Sequence, residues 1–302
     1  MTEEQALGDG TNFLHEPVMM REAVEFLGAM PGKLIVDATV GGGGHAAKIL
    51  AATAPDGRLI GIDRDPDAVE AARSRLMFAG ARVTIVQGRM AELESVLAGL
   101  GIERVDGILA DLGVSSFQLD MGSRGFSFRK DAPLDMRMDP QSGESAAELL
   151  ERIDEEDLHT ILREFGEERF AGRIARALAG RRIESTGELA AAVIAAVPAQ
   201  ARRLRIHPAT RVFQAIRIAV NDEMGELDRF LTSAPKILTA GGRLVVLSYH
   251  SLEDRRVKHA FRRLAAEGDY SLPVRKAVKP GEAEVRVNPR ARSAKLRVLE
   301  RL

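Results

Sequence analysis

The chain contains no cysteine and no tryptophan, and aromatic residues make up only 4% of its 302 positions. Without thiols there are no disulfides, thiolate zinc sites, iron–sulfur clusters or cysteine nucleophiles. The sparse aromatics argue against nucleic-acid recognition on a stacking sheet of the RRM type. Long apolar runs are missing as well. The longest nearly unbroken stretch, Leu189 to Ala199, contains Pro198 and falls short of the roughly 18–20 residues that span a bilayer, so no membrane partner is expected. An excess of charge is also absent, with 43 Lys plus Arg against 44 Asp plus Glu. Contact with nucleic acid must then come from local segregation of charge. The opening MTEEQALGDG is acidic where a secretory signal or presequence needs cations and an apolar or amphipathic run. Residues 1–14 are therefore expected to form a disordered terminus of a cytoplasmic protein.

What is present is a pattern. KLIVDAT from Lys33, RLIGID from Arg58, RVTIVQ from Arg82 and VDGILAD from Val105 are β-branched-rich and bounded by Gly or Asp, which predicts four strands. Helical stretches lie between them at His45–Ala52, Pro66–Ala79 and Met90–Ala98, the second with Asp65 as N-cap and Pro66 at its first position. Strands alternating with helices imply a parallel sheet covered on both faces. After Asp111 the alternation stops. Residues 113–140 lack periodicity and read as a long functional loop; helical signals follow, with capping boxes at Ser145–Glu148 and Ser185–Glu188. Residues 211–238 are expected to be helical, RLVVLSY from Arg243 a fifth strand opened by Gly241-Gly242, Ser251–Ala266 a helix, and SAKLRVLER a last strand. The expected fold is α/β: a Rossmann-like sheet over 15–123 and 211–302, with a small all-helical domain inserted at 124–210.

The glycine loop DATVGGGGH, Asp37 to His45, follows a strand and opens a helix, where a backbone can approach a ligand without Cβ interference. Asp63 closes the next strand 19 positions after Gly44, the spacing at which a carboxylate accepts hydrogen bonds from ribose hydroxyls. Together they point to an adenosine-containing cofactor, and the geometry alone serves NAD and S-adenosylmethionine equally. The glycine spacing gives only G-x-G-x-x-A, a weak match to a dinucleotide fingerprint.

The motifs DLGVSSFQ (Asp111 to Gln118), RGFSF (from Arg124) and PLDMRMDP (from Pro133), with HEPV near the start, FGE at 165–167, HPATR at 207–211, SYHSLEDR at 248–255 and NPRARS at 288–293, resemble one family. It is the RsmH (MraW) family of 16S rRNA cytosine N4-methyltransferases, and the likeness covers about 15–302. The resemblance implies a S-adenosylmethionine-dependent methyltransferase domain interrupted by a helical substrate-recognition domain. It implies cofactor contacts at Gly43, Gly44, His45, Asp63, Met90, Asp111 and Gln118. Met90 departs from the Phe of many relatives, and its thioether can still pack on an adenine face. The implied partner is 16S rRNA within the small ribosomal subunit, with a homodimer as one candidate assembly.

Cytosine N4 is a poor nucleophile because its lone pair is delocalised into the ring, so acceptors for its amino protons must localise that pair. Asp111 is the candidate catalytic acceptor, alongside the alternative that it only binds cofactor. Tyr249 and His250, just past the fifth strand, are placed to orient the base. Methylation at C5 is excluded, since that reaction needs a cysteine adduct. No metal is expected, because no His and carboxylate cluster has metal-site spacing. Competing readings are a NAD-dependent oxidoreductase, a non-catalytic RNA-binding S-adenosylmethionine sensor, and an enzyme acting on DNA amines. Three acid-poor stretches could meet RNA phosphates: Arg169 to Ile183, Leu189 to Asn221 with Arg202, Arg203 and Arg205, and Val285 to Leu299.

Overall fold

The computed structural model describes residues 17–114, 122–200 and 207–302; the expected disordered terminus lies outside the described residues. Seven strands form one sheet in the order β3-β2-β1-β4-β5-β7-β6. β1 (Leu34–Asp37), β2 (Arg58–Asp63), β3 (Val83–Gln87), β4 (Val105–Asp111) and β5 (Leu238–Ser248) run parallel. β7 (Lys295–Arg301) is antiparallel to β5 and to the short β6 (Tyr270–Ser271). The central strands β1 and β4 are buried on both faces, Ile35, Val36, Ile108, Leu109 and Ala110 being almost inaccessible, which is why they read as continuous apolar runs rather than alternating ones.

Helices α1 (Met20–Leu27), α2 (Gly44–Ala52), α3 (Pro66–Leu76) and α4 (Leu93–Gly99) belong to the first half of the sheet. Asp65 caps α3, its side chain accepting the Asp67 N–H. A separate apolar cluster is built from residues 126–216. It contains Leu150 of α5 (Ala146–Arg152), Leu158 and Leu162 of α6 (Glu155–Glu164), Ile174 of α7 (Ala171–Leu178), Val193 of α8 (Thr186–Ala196) and Phe213 of α9 (Ala209–Val220). Ser145 and Glu148 form the expected reciprocal cap. At Ser185 only half of one forms, because Glu188 accepts the Glu184 N–H instead.

The helical stretch expected at 211–238 is divided into two helices, α9 and α10 (Glu223–Ser233). Asn221 ends the first by turning its amide onto the Met136 carbonyl (2.7 Å) and the Met138 N–H (2.8 Å), and Asp222 is left-handed at φ 48. The fifth strand starts at Leu238, not Arg243: Leu238 pairs with Val105, and the glycine pair falls in a register shift before Arg243 meets Gly107. The glycines mark an irregularity inside the strand, a common use of glycine in sheets.

Asn221 has a counterpart on the other side of the same loop. Arg124, 9% exposed, reaches Asp65, 0% exposed, at 3.3 Å and Asp67 at 3.0 Å, while its other nitrogen donates to the carbonyls of Arg137 and Met138. Loop 124–138 is thereby tied to the start of α3. Arg124→Ala is expected to lower the unfolding free energy by about 3 kcal/mol, because it removes the guanidinium that faces the buried Asp65 carboxylate; urea denaturation with a loss below ~1 kcal/mol would refute this.

Candidate functional site

Asp37 at the end of β1 lies level with Gly61 of β2 and Leu109 of β4. Asp63 and Asp111 each lie two residues further on, so their side chains stand on either flank of the loop that leaves β1. That loop enters α2 through Gly43, left-handed at φ 77, and a Cβ on Gly44 would lie 2.3 Å from the Pro17 ring. Both positions therefore require glycine. A Cβ on Gly42 would meet nothing within 4 Å, which leaves an open cradle beside the loop.

Asp63 holds the loop in place. Its Oδ2 accepts the Gly41 N–H at 2.8 Å and its Oδ1 the Asp65 N–H at 3.0 Å, and each oxygen keeps a further lone pair for a hydroxyl. Burial pushes its carboxyl up to about 6 against those two hydrogen bonds. Asp37, 1% exposed, is pushed further, to about 8, by burial above all and by the charges of Asp111 and Asp63, while the Thr39 N–H works against the rise.

Asp111 is fixed from three directions. Its backbone N–H donates to Thr39 Oγ1 (2.7 Å), its Oδ1 accepts the Tyr249 hydroxyl (2.6 Å), and its Oδ2 lies 3.6 Å from His45 Nδ1. His45 is buried, with Nε2 3.0 Å from the Val18 carbonyl. A carbonyl only accepts, so Nε2 carries the hydrogen and Nδ1 is the nitrogen turned toward Asp111. Burial raises the Asp111 carboxyl above its usual range despite His45 and Tyr249, and burial beside that carboxylate raises the Tyr249 phenol well above its own.

Behind Tyr249 stands a buried network that spacing along the chain did not disclose. Glu253, 2% exposed in helix α11 (Ser251–Glu267), accepts the N–H groups of Tyr249 (2.8 Å) and His250 (3.3 Å). His250 Nε2 lies 3.2 Å from Glu253 Oε1. Glu223 is gripped bidentately by Arg217 at 2.7 and 2.8 Å. The ligand atoms of Glu223, His250 and Glu253 come within 4.8 Å of one another, and the Arg217 guanidinium already supplies positive charge to this cluster. The only sequence signal was the H-x-x-E capping box at His250.

Met90, half-buried in a turn after β3, packs against the apolar cluster that contains Ile60 and Ile62 of β2. Gln118 lies outside the described residues, as do Arg202, Arg203 and Arg205. Of the other basic stretches, Lys295 and Arg297 are both bound to Asp254, Arg286 to Glu282, Arg176 to Glu155 and Arg182 to Glu184. Arg169 and Arg173 are exposed and touch no carboxylate among the described residues.

The Asp63 and Asp111 carboxylates beside the glycine loop oppose a pyrophosphate and favour a ligand bearing a sulfonium and an ammonium. With the hydroxyl acceptors of Asp63 and the open cradle at Gly42, the residues present fit S-adenosylmethionine, and the sheet with its single reversed strand next to the β6 edge is that of a S-adenosylmethionine-dependent methyltransferase. A family model described as the MraW methylase family matches residues 12–302, and the chain belongs to that family. It is 48% identical over 313 residues to a "Ribosomal RNA small subunit methyltransferase H" of Syntrophus aciditrophicus, covering 97% of this chain and 99% of the relative. Proteins of the same name from Symbiobacterium thermophilum (49%; 96% and 97% covered) and Geobacter sulfurreducens (50%; 96% and 99%) are similar to it as well.

The buried carboxyls make stability depend on pH in an unusual direction. Asp37 and Asp63 hold protons up to about 8 and about 6 in the fold, against 3.8 when free. The native state therefore binds more protons than the unfolded chain between those values, and stability falls as pH rises through them. Asp37→Asn should flatten the upper part of that decline, between pH 6 and 8, in melting temperatures of the cofactor-free protein. An unchanged slope would contradict a neutral buried Asp37.

Proposed function

We propose that this enzyme methylates the exocyclic N4 of a specific cytosine in the decoding region of 16S rRNA, within the small ribosomal subunit, without a covalent enzyme intermediate. The observation that carries the reading is the Asp111 carboxylate. Tyr249 occupies Oδ1 at 2.6 Å, so Oδ2 is the oxygen available to an incoming amino group. S-adenosylmethionine, when bound, would supply an electrophilic methyl group on a sulfonium, whose S–methyl bond breaks with the electron pair staying on sulfur to leave a neutral thioether. Asp111 Oδ2 accepts one N4–H and localises the nitrogen lone pair toward that methyl. Once the N4–methyl bond has formed, N4 carries the positive charge, and one N4 proton passes toward the same oxygen. His45 Nδ1 lies 3.6 Å from the same oxygen.

In this reading Gly43, Gly44 and His45 shape the cofactor loop, Asp63 holds the ribose, Met90 covers the adenine, and residues 124–210 form the substrate-recognition domain. The small-subunit RNA in the names of the relatives supports the substrate, and the absence of cysteine supports N4 over C5.

The direct test is transfer of labelled methyl to isolated small subunits, followed by nuclease digestion and mass spectrometry; N4-methylcytidine is expected, and 5-methylcytidine would overturn the reading. Asp111→Asn should lower the single-turnover rate by roughly 10²–10⁴-fold, as removal of a proton acceptor does. A rate retained at saturating cofactor would make Asp111 a binding residue only. Tyr249→Phe should slow turnover by about 10- to 100-fold, the equivalent of one hydrogen bond to a charged group. Because that bond opposes the effect of burial on Asp111, its loss raises the carboxyl further and moves the acid limb of the rate profile to higher pH. His45, Asp37 and Glu253, the other titratable groups facing this carboxylate, remain in place in the variant. A lower rate with an unmoved limb would reduce Tyr249 to a packing role.

A further inference from the structure

Helix α11 carries a basic run outside the three stretches described above. Between Asp254 and Glu267 it has Arg255, Arg256, Lys258, His259, Arg262 and Arg263 and no acid. Its apolar positions, Leu252, Val257, Ala260 and Phe261, are buried. Arg255, Arg256, His259 and Arg263 instead line a depression of about 400 Å³ whose other wall includes Asp228 and Leu231 of α10. Asp228, 3.3 Å from Arg256, is the single carboxylate in that lining. The outermost guanidiniums are 57% and 65% exposed, and their partners are the surface carboxylates Glu167 (3.3 Å from Arg255) and Glu267 (3.9 Å from Arg263). Exposed pairs of this kind contribute little, so either arginine can exchange its partner for a phosphate at small cost.

The location gives the groove its meaning. Ser251 and Arg255, one turn apart on α11, both contact Glu167, and Ser251 is two residues beyond Tyr249, whose hydroxyl is bonded to Asp111. One end of the groove therefore lies at the rim of the methyl-transfer site. From Arg255 to Arg263 it extends about 12 Å along the helix. A strand that delivers one base to Asp111 must carry its neighbouring nucleotides across this rim. Arginine forks match phosphate oxygens bidentately, and cationic grooves that track a backbone are a usual design for single-stranded nucleic acid.

We propose that the α10–α11 groove holds the sugar–phosphate backbone of the substrate RNA next to the target nucleotide. This rests on the RNA reading above. The test measures affinity for isolated small ribosomal subunits against salt concentration, for the wild-type protein, for Arg255→Gln/Arg263→Gln, and for Arg21→Gln on α1 as a control. The double variant should lose about 0.7–0.9 of log–log slope per lost phosphate contact, with calorimetric affinity for S-adenosylmethionine unchanged and the control like wild type. A wild-type slope in the double variant overturns the groove. Failure of the wild-type protein to bind or methylate small subunits overturns the RNA reading itself, and does so before any variant is compared. Should the double variant also lose cofactor affinity, Arg263→Gln alone decides the matter, since that exposed side chain can be changed without disturbing the fold.

Discussion

Three carboxyl groups are buried at the ends of three adjacent strands, and the cost of burying them is the constraint to which the rest of the site answers. Asp37, Asp63 and Asp111 sit on β1, β2 and β4 around one glycine loop; burial raises each of them, and at Asp37 the charges of Asp111 and Asp63 add to the rise. The protein meets this with donors. Backbone N–H groups from Gly41, Asp65 and Thr39 are turned onto Asp63 and Asp37, and the Tyr249 hydroxyl onto Asp111. Donors alone leave Asp37 neutral near pH 7, at about 8. A cationic ligand beside Asp63 and Asp111 offsets the cost of burying those carboxylates ionised, whereas a pyrophosphate would add to it.

The same economy of pairing connects the helical unit to the sheet. Arg124 closes on Asp65 and Asp67, Asn221 on the carbonyl of Met136, and Arg217 of α9 on Glu223 of α10. Phe165 packs against both the helical cluster and the small cluster of Ile218, Met224 and Leu252. Leu252 and Glu253 lie in the first turn of α11, directly after Tyr249. The position of Tyr249, and through it the orientation of Asp111, thus depends on packing contributed by the helical unit.

Much of this was legible in the sequence, for local reasons. β-branched runs ending in Gly or Asp gave the strands β1 to β4, and Asp65 and Ser145 marked helix starts, because caps and strand burial are set by near neighbours. The loop and its acidic partner were legible because their spacing is a property of one βαβ unit. The break at Asn221 was not, since both flanks have good helical sequence and the amide turns away toward residues 85 positions distant. Gly241-Gly242 looked like the opening of the fifth strand for a similar reason: only pairing with β4 makes it an irregularity within that strand. The Tyr249 to Asp111 bond joins residues 138 positions apart, and nothing in either segment announces it.

Charge runs were the least reliable signal, and the reason is instructive for a chain of net charge -1. With nearly as many acids as bases, a basic run is a binding surface only where the fold withholds carboxylates from it. The C-terminal run fails that condition at Lys295 and Arg297, both committed to Asp254 at 2.8 and 2.7 Å, with Arg297 and Asp254 at least 85% buried. Arg217 fails it too, held by Glu223. The arginines of α11 differ in kind: their helix spends its apolar face on the core, its acids lie at its two ends, and the pairs that Arg255 and Arg263 do form are open to water. Segregation along one helix face, rather than along the chain, is what separates a cation available to phosphate from one already used to hold the fold.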